Sequence, residues 1–143
     1  IKMIVDVVCR DGNLLLNVGP DRDGKVNPEA VRTIREAGAW LNRHGDSIYG
    51  TRGGVFQPVD RVYGSTYRGN EIFLHILDTE KFRDLTLPGI PARITACRTW
   101  DGIVCHLTRD ESGIRIPLPE NLPRQRVTVL RLQCDRPVAG ILT

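Results

Sequence analysis

The segment Gly12-Asn-Leu-Leu-Leu-Asn-Val-Gly-Pro-Asp-Arg-Asp-Gly24 constrains the fold of this chain more than any other. Three consecutive leucines leave no polar face, as in a strand of a parallel sheet covered on both sides. The glycines and proline that follow end the strand. Asn27-Pro28-Glu29 then opens a helix: asparagine is a good N-cap, proline is tolerated at the first helical position, and an early carboxylate suits the positive end of the dipole. Strand, loop and helix read as the last β/α step of a (β/α)8-like barrel. Such a step needs neighbours. Burial of Leu14, Leu15, Leu16, Val18, Ile34 and Leu41 is worth on the order of 10 kcal/mol, comparable with the stability of a whole domain. A lone strand would also expose an unpaired backbone ladder.

The same reading extends to both sides of the step. Ile4, Val7 and Val8 recur at helical spacing within residues 1–10, and Asp11-Gly12 supplies a stop. Val31, Ile34, Gly38 and Leu41 trace one face of the second helix. Arg43 and His44 complement its carbonyl end, and Gly45 is the expected left-handed terminator. The opening Ile1-Lys-Met, without an initiator methionine or a leader pattern, is expected to lie inside a longer polypeptide.

The period changes near residue 50. Residues 62–67 and 71–77 flank the turn Arg68-Gly69-Asn70 and are expected to form a hairpin. Further strands are expected at residues 85–87, 92–98, 103–108, 113–118 and 126–133. About seven short strands at this spacing predict an antiparallel β-sandwich. The expected fold class is therefore α/β plus all-β, with a barrel segment at residues 1–51 and a sandwich at residues 52–143. Arg52-Gly53-Gly54 with Pro58 marks the junction.

Composition narrows the function classes. With 41% apolar and 26% charged residues the chain is that of a globular protein. Its longest apolar runs fall far short of the roughly 18 residues that span a bilayer, so no membrane partner is expected. Seventeen arginines and three lysines against 17 acids give a net charge of +3, but the arginines are scattered from Arg10 to Arg136. A nucleic-acid groove needs them concentrated on one face, so no nucleic-acid partner is expected either. Cys9, Cys97, Cys105 and Cys134 contain no Cys-x-x-Cys pair and read as buried or reduced thiols. Cys97 and Cys105 flank Asp101-Gly102 and face each other only if the hairpin register allows it.

Certain motifs carry a resemblance. Gly12-Asn-Leu-Leu-Leu-Asn-Val-Gly-Pro20 with Asp23-Gly24, Trp40-Leu41 before Gly45, and Ser47-Ile-Tyr-Gly-Thr51 resemble the end of the catalytic barrel in the α-L-fucosidases of glycoside hydrolase family twenty-nine. Tyr63-Gly-Ser-Thr-Tyr67, Gly69-Asn70 before the strand at 72–75, Leu85-Thr-Leu-Pro-Gly89, and Val127-Thr-Val-Leu-Arg-Leu132 are similar to that family's carboxy-terminal β domain. The resemblance implies a retaining hydrolase that releases terminal α-L-fucose from glycans, needs no cofactor, and acts in the periplasm, in secretions or in lysosomes. It also implies an aspartate nucleophile and a glutamate acid/base on the barrel, upstream of the leucine strand. No position here matches either, so no catalytic residue is assigned and the chain alone is expected to be inactive. Its implied partners are the amino-terminal catalytic barrel, as the same polypeptide or a separate chain, and a fucosylated glycan. The alternative is a non-catalytic β-sandwich module that binds carbohydrate or protein.

The side chains agree with that assignment. Retaining hydrolysis needs two carboxyl groups about 5 Å apart across the sugar, and Asp21 and Asp23 are the closest acidic pair. They fit a solvent-facing turn, where nothing separates their pKa values. A calcium loop fails, because Gly19 and Ala30 would occupy its first and last ligand positions. No metal site is expected. Asn17, at the carboxyl end of the leucine strand, is the one candidate for substrate binding, at the pocket rim or behind it. The competing role is to hold the loop through its own hydrogen bonds. His44 reads as a helix-end charge partner, and His75 and His106 as strand residues. Trp40 is expected between helix and barrel. Trp100, in a hairpin turn, either covers a sheet end or offers an indole to a sugar.

Overall fold

Glu71–Ile76, the third strand of the protein (β3), is buried on both faces, and the rest of the fold is arranged around that fact. Ile72, Leu74 and Ile76 point to one side and Phe73 and His75 to the other, all with 1% exposure or less. Alternate residues of a strand face opposite ways, so a strand buried at every position needs a layer on each side.

The computed structural model describes residues 1–141. Two helices come first, α1 (Lys2–Cys9) and α2 (Pro28–His44), and α2 continues into a 3-10 turn at Gly45–Ser47. Strands β1 (Arg52–Gly53), β2 (Tyr63–Arg68) and β3 lead to a one-turn helix, α3 (Thr79–Arg83). Strands β4 (Ile94–Thr99), β5 (Thr108–Asp110), β6 (Gly113–Arg115) and β7 (Thr128–Cys134) follow, with a final 3-10 segment at Val138–Ile141. The main sheet has the order β1-β2-β3-β7-β4 with every pair antiparallel, and β5 and β6 form a separate two-stranded ladder.

Register explains the two layers. Ile72 lies opposite Leu132 and Leu74 opposite Leu130. These side chains pack with Phe82, Leu87, Ile114 and Ile116 from α3 and the β5–β6 side. On the other face Phe73 and Val129 pack with Val5 and Cys9 of α1 and with Ile48, flanked by the half-buried Trp40, Leu41 and Trp100. Each large apolar side chain taken from water contributes about 1.5–3 kcal/mol, so β3 anchors both layers.

Antiparallel sheet thus dominates, as the alternation in the second half implies. The hairpin at 62–77 forms, and Gly69 at φ 60 takes the first central position of its two-residue turn, where a primed turn favours glycine. Elsewhere the pattern and the structure differ. Residues 85–87 make a single bridge, Leu87 with Ile114, closed by two reciprocal 2.8 Å hydrogen bonds. Residues 103–107 contribute one bridge, Arg98 with Val104, before β5 begins. The junction at Arg52–Gly53 is itself a short edge strand on β2. Helix α3 is not visible in the sequence pattern because one turn carries too little periodicity; its N-cap is Asp78, whose carboxylate accepts from the Lys81 N–H at 3.1 Å.

The expected strand at 13–17 does not form. A parallel strand needs a partner brought in by a crossover, and the described residues supply none. The helix ends also differ from expectation. Gly45 is right-handed, at φ −55, and the left-handed turn comes later at Gly50 with φ 67. Glycine at position 45 serves a different purpose: an added Cβ would stand 3.0 Å from the Tyr49 ring, whose N–H donates to Gly45 O at 2.7 Å. At the end of α1 the left-handed residue is Asp11, at φ 63, rather than Gly12. The Gly12 N–H donates to Val7 O and the Asp11 N–H to Val8 O, which is a Schellman cap with aspartate at its left-handed position.

Gly113 is where a side chain is least tolerable. Its φ is 134 and an added Cβ would lie 2.1 Å from Leu87 O. Gly113→Ala is expected to cost about 2–4 kcal/mol in urea unfolding, because both the backbone and the Leu87–Ile114 bridge must move. Gly69→Ala, with open space around it, should cost only about 1–2 kcal/mol. Equal losses would show that the Gly113 contact is not limiting.

Candidate functional site

The leucine segment borders a cleft of about 460 Å³ between α1, α2 and residues 48–52. Ile4 and Val8 line it from α1, Ile34, Ala37, Gly38 and Leu41 from α2, and Leu14 and Leu16 from the segment between the helices. The leucines do not fill it. Leu15 is 91% exposed and Leu16 53%, and Tyr49 at the rim is 61% exposed. Isolated exposed leucines need no explanation, but adjacent ones beside an apolar cleft form a patch of the kind that marks a contact surface. Helix α2 has the same character, for His44 is the one residue it fully buries.

The cleft is pinned to the sheet at one corner. Asp11 accepts the Gly53 N–H at 2.9 Å and pairs with Arg52 at 2.7 Å. The approach is so close that a Cβ on Gly53 would fall 2.5 Å from the Asp11 nitrogen. From the sequence Asp11 is only a helix stop; the Gly53 N–H it accepts is 42 residues away and no local pattern announces it. Asp11 is the only acid among the cleft's lining residues, so the paired carboxyl groups of a retaining glycosidase are not assembled there.

The loop at residues 20–26 behaves as a turn. Pro20 and Val26 form an antiparallel bridge, Asp21 accepts from the N–H groups of Asp23 and Lys25 at 2.9 and 2.8 Å, and Gly24 has φ 76. Asp21 is therefore occupied with the backbone, and Asp23 is exposed. Asn27 caps α2 by accepting the Glu29 N–H at 2.8 Å. Asn17 is exposed and stands outside the cleft lining. Among the described residues, no group of three His, Cys, Asp or Glu side chains converges as metal ligands.

Behind the cleft, α2 joins the sheet through aromatic and buried polar groups. Trp40 stacks on His44 at 4.8 Å, His44 meets Trp100 at 5.0 Å, and Trp100 lies 6.3 Å from Phe73. The Arg131 guanidinium stands 5.5 Å over the Trp100 ring, so this indole covers a sheet end. His44 is not the exposed charge partner that its position suggests. It is buried, desolvation lowers its pKa, and its neutral Nδ1–H donates to Trp40 O at 3.1 Å. His106, by contrast, is exposed.

His75 is the deepest titratable group. The Thr66 hydroxyl donates to Ser47 O at 2.6 Å and, with its one proton spent, accepts from His75 Nε2–H at 3.1 Å. Its Nδ1 has no partner. Complete burial, slightly offset by the contact at Ser47 and reinforced by His44, lowers its pKa to about 3. This chain ties the 3-10 turn after α2 to the middle of the sheet.

Known proteins place this arrangement. A sequence profile described as alpha-L-fucosidase matches residues 1–46, which include α1, the leucine segment and all of α2. The alpha-L-fucosidase of Branchiostoma floridae is 29% identical over 143 residues, which is 93% of this chain and 32% of that protein. Along most of its length the chain resembles the α-L-fucosidases. The human plasma alpha-L-fucosidase is 39% identical over 51 residues, 36% of this chain and 11% of the relative. In structure, isoenzyme 1 of the alpha-L-fucosidase from Paenibacillus thiaminolyticus superposes with a TM-score of 0.75 at 29% identity, over 92% of this chain and 32% of that one. A Bacteroides thetaiotaomicron fucosidase of glycoside hydrolase family 29 shares the fold, with a TM-score of 0.81 at 21% identity over 92% of this chain and 31% of that one. The chain thus spans about a third of the length of family members that match along it.

The main sheet is built around a histidine that stays neutral. The unfolded chain takes up a proton below pH 6.5 that folded His75 refuses until about pH 3. Stability is therefore full above the unfolded value and falls as pH drops through this window, with a slope approaching about 1.4 kcal/mol per pH unit from this residue. His75→Leu is expected to flatten the dependence of urea-unfolding free energy on pH between 6 and 4.5, about the window in which carboxylates contribute least. An unchanged slope would mean that His75 does not control it.

Proposed function

We propose that this chain is the carboxy-terminal portion of an α-L-fucosidase, a retaining glycoside hydrolase that releases terminal α-L-fucose from glycans. In this reading residues 1–51 are the last β/α unit of a (β/α)8-like barrel and residues 52–143 an antiparallel β-sandwich that supports it. The catalytic nucleophile and acid/base belong to the barrel's preceding strands, and the fucosylated glycan is bound there. Asn17, after the leucine strand, would line the rim of that pocket or orient a group within it.

The observation that carries this reading is the leucine segment itself. Leu14, Leu15 and Leu16 have the sequence of a doubly covered strand, yet Leu15 and Leu16 are exposed beside an apolar cleft and their backbone has no ladder partner. A neighbouring parallel strand would pair that backbone, and barrel side chains would cover the leucines. The profile match to residues 1–46 falls on the same region.

The reading is tested by co-producing the chain with a polypeptide that supplies a family barrel lacking this final step, and assaying hydrolysis of a chromogenic α-L-fucoside. The expected result is no hydrolysis by the chain alone and activity in the reconstituted pair. Leu15→Asp should reduce recovered activity by about tenfold or more while leaving the chain's own sheet intact by circular dichroism, since burying a carboxylate against apolar surface is prohibitive. Hydrolysis by the chain alone would refute the reading. Fucose or glycan binding by the chain without reconstitution would favour a carbohydrate-binding module instead.

A further inference from the structure

Three of the four cysteines, Cys97, Cys105 and Cys134, belong to the apolar cluster on one face of the main sheet. Cys9 is elsewhere, under Gly64, where an added Cβ would stand 2.8 Å from its sulfur; burial there pushes its thiol up to about 12. Cys9 is a packing residue. The geometry of Cys97 and Cys105 is different.

Strand β4 is the edge of the main sheet, and residues 103–107 lie along it as a strap. The strap hangs by three hydrogen bonds: Thr99 N–H to Ile103 O at 2.8 Å, Ile103 N–H to the Thr99 hydroxyl at 3.0 Å, and Cys105 N–H to Cys97 O at 2.9 Å. With Arg98 opposite Val104, this register sets Cys97 directly opposite Cys105 on one face. Hydrogen-bonded antiparallel partners have Cα atoms about 5.5 Å apart, inside the roughly 4.4–6.8 Å range that a disulfide bridges. Both are free thiols in the structure. Both are buried, at 4% and 5% exposure, beneath a surface groove of about 420 Å³ that their residues border together with Thr95, Arg98, Val104 and His106.

We propose that Cys97 and Cys105 form a disulfide site, closed and opened by thiol–disulfide exchange with a low-molecular-weight disulfide. Cys105 is the attacking residue: its contact with the Cys97 thiol holds it below the ordinary thiol value, while the same contact and burial push Cys97 up. The Cys105 thiolate attacks one sulfur of the reagent and breaks its S–S bond; the departing thiolate takes up a proton. The Cys97 thiol then loses its proton, attacks the Cys105 sulfur of the mixed disulfide and expels the second small thiol. Two protein thiols are oxidised to one disulfide, and one small disulfide is reduced to two thiols. The product fixes the strap to the sheet edge covalently, where three hydrogen bonds hold it otherwise. Cys134 takes no part, since its partner in the register is Ile94 and not either of these residues.

The test is to equilibrate the folded full-length chain in reduced and oxidised glutathione, quench with acid and map the thiols. In the oxidising buffer the intact mass should fall by two hydrogens. Trypsin cuts after Arg93, Arg98 and Arg109, so the peptides 94–98 and 99–109 should travel as one species until reduced. The oxidised chain should melt about 5 °C or more above the reduced one. Cys97→Ser should abolish that increment and leave Cys105 as a glutathione adduct; if this variant fails to fold, the peptide map of the unsubstituted chain decides alone. Retention of four free thiols by the folded chain in the oxidising buffer, or linkage of either residue to Cys134, would overturn the proposal. Neither outcome depends on fucosidase activity.

Discussion

The double burial of β3 is the constraint on which the rest of this structure depends. A strand with Ile72, Leu74 and Ile76 on one face and Phe73 and His75 on the other has no face to give to water. It must be covered twice, by the β5–β6 side on one face and by α1 with the end of α2 on the other. The helical region and the sheet are therefore parts of one packing problem. That is why α1 lies against the sheet with Val5 and Cys9 buried there.

His75 shows what this arrangement demands. An imidazole in the middle of an apolar face is tolerated because one nitrogen finds the Thr66 hydroxyl, which in turn reaches the Ser47 carbonyl. The unmet Nδ1 is the remaining cost. The benefit is directional, since apolar contacts alone permit sliding and a hydrogen-bonded chain between the 3-10 turn and two strands does not.

Much of this was legible in the sequence. The β2–β3 hairpin was announced by Gly69-Asn70 between two strand-like runs, the α2 start by Asn27-Pro28, and β7 by the alternation from Val127 to Leu132. Those signals are local, and local chemistry settles them. The sequence misled where tertiary contacts decided. Gly45 looked like a terminator, but Tyr49 needed its missing side chain, and the left-handed turn moved to Gly50. His44 looked like an exposed charge, but two indoles enclose it. The Asp11–Arg52 corner had no signal because its partners are distant in the chain. Of the candidate site, the turn-forming aspartates were readable, whereas the leucine segment reads as a strand that these residues do not form, and Asn17 is exposed outside the cleft lining.

Helix α2 is held at one end. Its final turn is fastened by Trp40, His44 and the Ser47–Thr66–His75 chain, while the turns before it bury no residue completely. In mechanical terms it is a cantilever mounted on the sheet. The mount fixes the direction in which the helix leaves, and over 17 residues a small change of angle at the mount becomes a large displacement at Pro28. Substitutions in the aromatic mount would thus be felt at the far end of the helix, beside the leucine loop, without touching it.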